Sequence, residues 1–181
     1  MKLIINLLSV SRIILAFFIF GLIMQSNGYV LALFLFMFAG ITDFLDGYLA
    51  RKYNLTSVIG EILDPIADKI LIIFILFALA INLSSYIVGF FASLIISREI
   101  LVSALRDYNS RNNNTSATKV TFLAKFKTTI QIFTISLYLF ALAIDNMLLL
   151  IISDLFLATS TIITLYTGYL YIYNSFAKER D

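Results

Sequence analysis

Four aspartates stand where an apolar sequence should hold none: Asp43 and Asp46 close one hydrophobic stretch, and Asp64 and Asp68 open the next. A charge inside a membrane costs at least about 2.5–3.5 kcal/mol on insertion scales, so ionisable residues there mark function by default. Spacings of three and four residues put each pair on one face of its own helix. The connection between the two stretches is short, which predicts antiparallel neighbouring helices whose carboxylates converge. Carboxylates that point at one another need positive charge between them, and a divalent cation supplies it. The chain has no Cys and no His, which excludes thiolate nucleophiles, imidazole acid/base chemistry and the usual zinc sites. A cage of oxygen ligands alone suits magnesium or manganese. Helix capping, or pairing with Arg51, Lys52 and Lys69, accounts for one Asp per helix end and leaves the other two unexplained.

A second group of charges is basic. Arg98 lies inside the fourth apolar stretch, Arg106 lies near its end, and Lys125 and Lys127 open the fifth. The helical separation of Arg98 and Arg106 sets them about 80° apart around the axis, so both can border one cavity. Cations gathered near an acidic metal site predict an anionic ligand, most simply one whose phosphate is held by Arg98, Arg106, Lys125 and Lys127. Anchoring at the interface explains one of the two lysines and fails for Arg98, which lies deeper.

These side chains have to be positioned by helices that cross a membrane. Of 181 residues, 61% are hydrophobic and 13% charged, against about 45–50% and about 25% in soluble domains. An apolar span must satisfy its backbone internally, and at about 20 residues that means a helix. Six spans can be drawn: Leu7 to Met24, Tyr29 to Leu49, Ile59 to Ile81, Tyr86 to Leu105, Phe122 to Ile144 and Leu148 to Tyr173. Turn residues separate them at Asn27-Gly28, Asn82 to Ser85 and Asp145-Asn146, and a polar loop runs from Asp107 to Lys119. Nothing resembles a linker, so the expectation is an all-α, polytopic membrane protein with a single domain over 1–181. The sixth span shows only a hydrophobic pattern.

Basic residues orient such a bundle, because they stay on the cytoplasmic side. Lys2, Arg51 with Lys52, Arg111 with Lys119, and Lys178 with Arg180 mark the two ends and the even connections; the odd connections have none. This alternation predicts a multi-pass protein of the inner (cytoplasmic) membrane with both termini in the cytoplasm. The first span reads as retained and not as a cleaved signal. A net charge of +2 without a basic run argues against nucleic acid as a partner.

The acidic spacing also carries a resemblance. Asp43-Phe-Leu-Asp46-Gly47-Tyr-Leu-Ala50-Arg51, followed at fixed offsets by Gly60, Asp64 and Asp68, resembles the signature of the CDP-alcohol phosphotransferase family. The resemblance implies six helices around a cytoplasm-facing polar cavity. It implies Asp43, Asp46 and Asp64 as metal ligands, and Asp68 as a general base that also reaches the metal. Gly47, Ala50 and Gly60 would let the nucleotide approach the backbone, and Arg51 would contact its phosphate. Asn6 to Arg12, Ser97 to Asp107 and Ala124 to Gln131 are similar to the branch of that family whose acceptor is glycerol 3-phosphate. That likeness implies CDP-diacylglycerol as donor, phosphatidylglycerophosphate and CMP as products, and a homodimer, which is usual in the family. Other acceptors, such as inositol phosphate, serine or phosphatidylglycerol, stay open within it. A cation transporter would be expected to carry polar residues on both sides of the bilayer and an inverted repeat. A structural scaffold has no use for paired aspartates.

Overall fold

The protein is seen in a computed structural model that describes residues 2–53, 58–112 and 122–177, with side-chain surroundings for 7–43, 60, 63–112 and 126–176. Six helices account for nearly all of them: α1 Lys2–Met24, α2 Tyr29–Tyr53, α3 Val58–Asn82, α4 Tyr86–Arg111, α5 Phe122–Ala143 and α6 Met147–Ala177. The expected all-α architecture is thus met. Helices α1, α4, α5 and α6 are long and apolar enough to cross a membrane, and α2 adds a shorter apolar stretch, Tyr29–Asp43. Phe17, Phe34, Phe38, Phe90, Phe133 and Tyr169 point outward, as side chains facing lipid do. The chain is a multi-pass membrane protein.

The helices close into a ring in the order α1, α2, α5, α6, α4, α3 and back to α1. This arrangement corrects one expectation. Among the described residues α2 and α3 do not pack directly on each other; α1 packs against both. The reason is visible in the pattern of α1, where Ser9, Arg12, Ala16, Ile19 and Ile23 are all buried, at alternating spacings of three and four that make one stripe. On α2 the matching stripe is Ala32, Phe36 and Ala39, and on α3 it is Leu71, Ile75 and Leu79. The many buried alanines let the backbones approach closely, which is how helices associate where lipid removes the hydrophobic driving force.

One side of the bundle is tightly tied. The connections 25–28, 83–85 and 144–146 each contain a non-glycine residue at positive φ: Ser26 at 55°, Ser84 at 47° and Asp145 at 52°. A left-handed residue just past a helix end lets the last carbonyls find donors within a few residues. Accordingly, the amide of Ser85 donates to the carbonyl of Ala80 at 3.1 Å, and that of Asn146 to Ala141 at 3.0 Å. Gly28, in the first connection, has no room for a side chain: a Cβ there would lie 2.5 Å from the carbonyl oxygen of Leu22.

In α6 the inward stripe is polar. Ser153, Ser160, Thr161, Thr164, Thr167 and Ser175 are buried among the neighbouring helices. Several return their hydroxyls to the helix itself, Ser153 to the carbonyl of Leu149 and Thr161 to that of Leu157, both at 2.8 Å. Asp154 of the same helix accepts from the Tyr138 hydroxyl of α5 at 2.5 Å. A membrane segment accommodates a carboxylate only where a partner faces it.

Gly28→Ala is expected to lower the thermal midpoint measured in detergent, because the new methyl meets backbone. Gly21→Ala, where a Cβ has nothing within 4 Å, is expected to leave it unchanged or slightly raised.

Candidate functional site

The acidic centre is assembled by three helices. Asp43 comes from α2, Asp64 and Asp68 come from α3 on either side of Pro65, and Arg12 comes from α1 between them. One terminal nitrogen of Arg12, Nη1, donates to Asp43 and to Asp68, and Nη2 lies 3.6 Å from Asp64. The Ser9 hydroxyl, one turn earlier on α1, donates to Asp64. Arg12 is 1% exposed, whereas Asp43, Asp64 and Asp68 are 44%, 40% and 48% exposed. The cation is therefore the buried member and the carboxylates form the rim. A guanidinium is suited to this position, since it stays charged when desolvated and offers several donors in one plane.

Among the described residues no three acidic side chains form a ready-made ligand group for a metal ion; Arg12 stands between those that converge. The donor set is nevertheless oxygen only, and the carboxylates of α2 and α3 already gather on a positive charge. Hard oxygens collected around a cation fit magnesium or manganese. Asp46, Gly47, Ala50 and Arg51 fall on the last turns of α2, and their side chains lie outside the described residues. Gly60 is buried in the first turn of α3.

Beside this centre, α3, α4, α5 and α6 enclose a cavity of about 330 Å³. Its wall joins Asp68 to the basic group: Asp68 and Lys69 on α3, Arg98 and Arg106 on α4, and Lys127 on α5 all line it. The expectation that Arg98 and Arg106 border one cavity is met. Lys125 lies in the first turn of α5, and its side chain is outside the described residues.

The basic wall is held in place by groups on α4 and α6. Arg98 is buried; its Nε donates to the carbonyl of Thr164 at 2.9 Å and its Nη2 to the Thr167 hydroxyl at 2.8 Å. Its Nη1 donates to Glu99 at 2.9 Å, and Lys127 donates to the same carboxylate oxygen. Lys69 donates to the Ser103 hydroxyl, which donates to the carbonyl of Glu99 at 2.8 Å. Gly168 makes the contact of Arg98 with α6 possible, since a Cβ there would come within 2.9 Å of Arg98 Cγ. The Tyr171 ring lies under both arginines, with guanidinium carbons 5.7 Å and 5.6 Å from its centroid for Arg98 and Arg106.

Several of these residues escape the sequence reading. Arg12 obeys the same rule that singles out the aspartates, a charge inside an apolar span, and Ser9 lies one turn away on the same face. Glu99 looks like a neighbour of Arg98 and acts as a clamp for two cations. The reading of the sixth span as hydrophobic pattern alone is corrected: Thr164, Thr167, Gly168 and Tyr171 build one wall of the site. Their spacings of three and four residues are the signal.

A family model for CDP-alcohol phosphatidyltransferases matches residues 2–167. The chain belongs to that family. A relative from Haemophilus influenzae, named CDP-diacylglycerol--glycerol-3-phosphate 3-phosphatidyltransferase, is 39% identical over 127 residues, 68% of each chain. Relatives with the same name from Rickettsia bellii and Rickettsia felis are 38% identical over 143 residues and 36% identical over 175 residues. The first alignment covers 78% of this chain and 77% of the relative, and the second 92% and 91%.

Arg12→Ala removes the charge that Asp43 and Asp68 share. With the carboxylates half-exposed, the expected cost is about 2–3 kcal/mol, read as a fall in thermal midpoint in metal-free detergent solution. Arg12→Lys is expected to recover only part of it.

Proposed function

We propose that this chain transfers the phosphatidyl group of CDP-diacylglycerol to glycerol 3-phosphate, giving phosphatidylglycerophosphate and CMP in phospholipid biosynthesis. The single observation that carries this reading is that Asp68 and the cations Arg98, Arg106 and Lys127 line one cavity. A base at one end and an anion-binding wall at the other fit a small alcohol that bears a phosphate. The names of the relatives support the same acceptor.

In this mechanism the acceptor enters from the cytoplasm. Arg98, Arg106, Lys125 and Lys127 hold its phosphate and aim its terminal hydroxyl at Asp68. Asp68 takes the hydroxyl proton as the oxygen attacks the lipid-side phosphorus in line, the bond to the CMP oxygen breaks, and CMP leaves. Magnesium or manganese, held by Asp43, Asp46 and Asp64 with Asp68 in reach, would neutralise the pyrophosphate and the charge that develops on the leaving group. Gly47, Ala50 and Gly60 would admit the nucleotide, with Arg51 on its phosphate. The acyl chains stay in the bilayer.

Glu99 tunes the acceptor end. It neutralises part of the charge of Arg98 and Lys127 and fixes where both point. Three nitrogens of Arg98 already donate to Thr164, Thr167 and Glu99, which leaves it further N–H groups for an incoming anion. The distribution of basic residues supports both termini in the cytoplasm and residence in the inner membrane. A single domain over 1–181 and a homodimer belong to the same reading.

The test is the purified protein with CDP-diacylglycerol, magnesium and a panel of labelled acceptors. Glycerol 3-phosphate is expected to be incorporated, and EDTA to abolish incorporation until magnesium or manganese is restored. Asp68→Asn is expected to lower kcat by about 10²–10⁴. Arg98→Ala is expected mainly to raise KM for the acceptor, by about 10–100-fold. Incorporation of serine or inositol phosphate in place of glycerol 3-phosphate refutes the acceptor while sparing the family.

A further inference from the structure

Tyr171 lies on the α6 wall of the cavity, is 4% exposed, and its hydroxyl has no hydrogen-bond partner among the described residues. Burying a phenol O–H without a partner costs free energy, and native structures rarely do so without a reason. Elsewhere on the inward stripe of α6 the hydroxyls of Ser153, Thr161, Thr167 and Ser175 bond to carbonyls of their own helix; that of Ser160 is also without a partner among the described residues, but Tyr171 is the one of the two that lines the cavity. A phenol has no such recourse, because its ring carries the hydroxyl away from its own backbone. The ring of Tyr171 is instead fixed against the guanidinium groups of Arg98 and Arg106.

That placement puts a neutral donor beside two cations, on a wall of the cavity across from the helix that carries Asp68. An anion drawn to the two arginines arrives where the phenol can donate to it. Hydrogen bonds to a charged acceptor are the stronger kind, so an O–H left unpaired by the protein is offset when the anion binds.

We propose that Tyr171 is a substrate-binding residue of the acceptor subsite, its hydroxyl donating to a phosphate oxygen of the incoming alcohol phosphate. This rests on the acceptor reading above and extends it to a neutral donor that completes the cradle of Arg98, Arg106 and Lys127. The division of labour follows: arginines and lysine attract the anion from a distance, and the phenol fixes the orientation of its oxygens at contact range.

The test compares wild type with Tyr171→Phe, which keeps the ring and its contacts with the arginines. Without ligand, the thermal midpoint of the variant in detergent is expected to equal or exceed that of the wild type; a marked fall means that the hydroxyl has a structural partner and overturns the proposal. Glycerol 3-phosphate without donor lipid is expected to raise the wild-type midpoint, with about tenfold more needed for the same rise in the variant. In turnover, KM for glycerol 3-phosphate is expected to rise about tenfold while KM for CDP-diacylglycerol is unchanged. Inorganic phosphate in place of glycerol 3-phosphate is expected to show the same difference between the two proteins. A difference seen with glycerol 3-phosphate alone assigns the hydroxyl to the glycerol moiety and overturns the phosphate contact. Identical titrations and KM values overturn the role of Tyr171 and leave the acceptor reading standing. A wild type that glycerol 3-phosphate neither stabilises nor reacts with overturns both.

Discussion

Carboxylates from separate helices can gather at one place only if positive charge lies among them, and Arg12 of α1 meets that demand for α2 and α3 at once. Its guanidinium is buried while Asp43, Asp64 and Asp68 reach the rim. Low dielectric strengthens the attraction and makes any missing partner costly. The rest of the acidic centre follows from that balance. Helix α1 has to pass between α2 and α3, its inward stripe has to end in Ser9 and Arg12, and the alanines above them have to let the three backbones close up.

The basic half of the site is governed by the same rule with the signs reversed. Arg98 and Lys127 converge on Glu99, so the cavity wall carries fixed cations with one anion among them. On the proposed reading, a phosphate entering this wall would meet positive charge that is already oriented, which would remove part of the ordering cost of binding. The two halves meet at Asp68, the residue that touches Arg12 on one side and lines the cavity on the other. The acidic centre and the basic cavity thereby share one residue of α3, with the cations of the cavity supplied by α3, α4 and α5.

Much of this was legible in the sequence, and the part that was not has a physical cause. The acid spacing identified Asp43, Asp64 and Asp68, because two pairs of charges in apolar surroundings admit few explanations. Helix boundaries fell close to the turn residues, since Asn27-Gly28 and Asp145-Asn146 break an otherwise unbroken pattern. The neighbours of α2 were missed because a short connection limits how far two helices can separate and does not forbid a third from lying against both. The wall of α6 was missed because Ser and Thr in a membrane helix bond to their own backbone and leave the hydropathy pattern almost undisturbed. Tyr171 was missed because an aromatic ring in an apolar span carries no charge to single it out; its depth and its arginine neighbours exist only in the fold.

The position of α1 between α2 and α3 also bears on how the chain is made. Ribosomes deliver α1 first, so Arg12 enters the bilayer before its partners exist and must wait near the lipid headgroups. Asp43 arrives next and Asp68 after it, each finding the guanidinium already at hand. Assembly in this order would give each acidic helix a cation to meet, with α1 as the surface on which the following two helices dock.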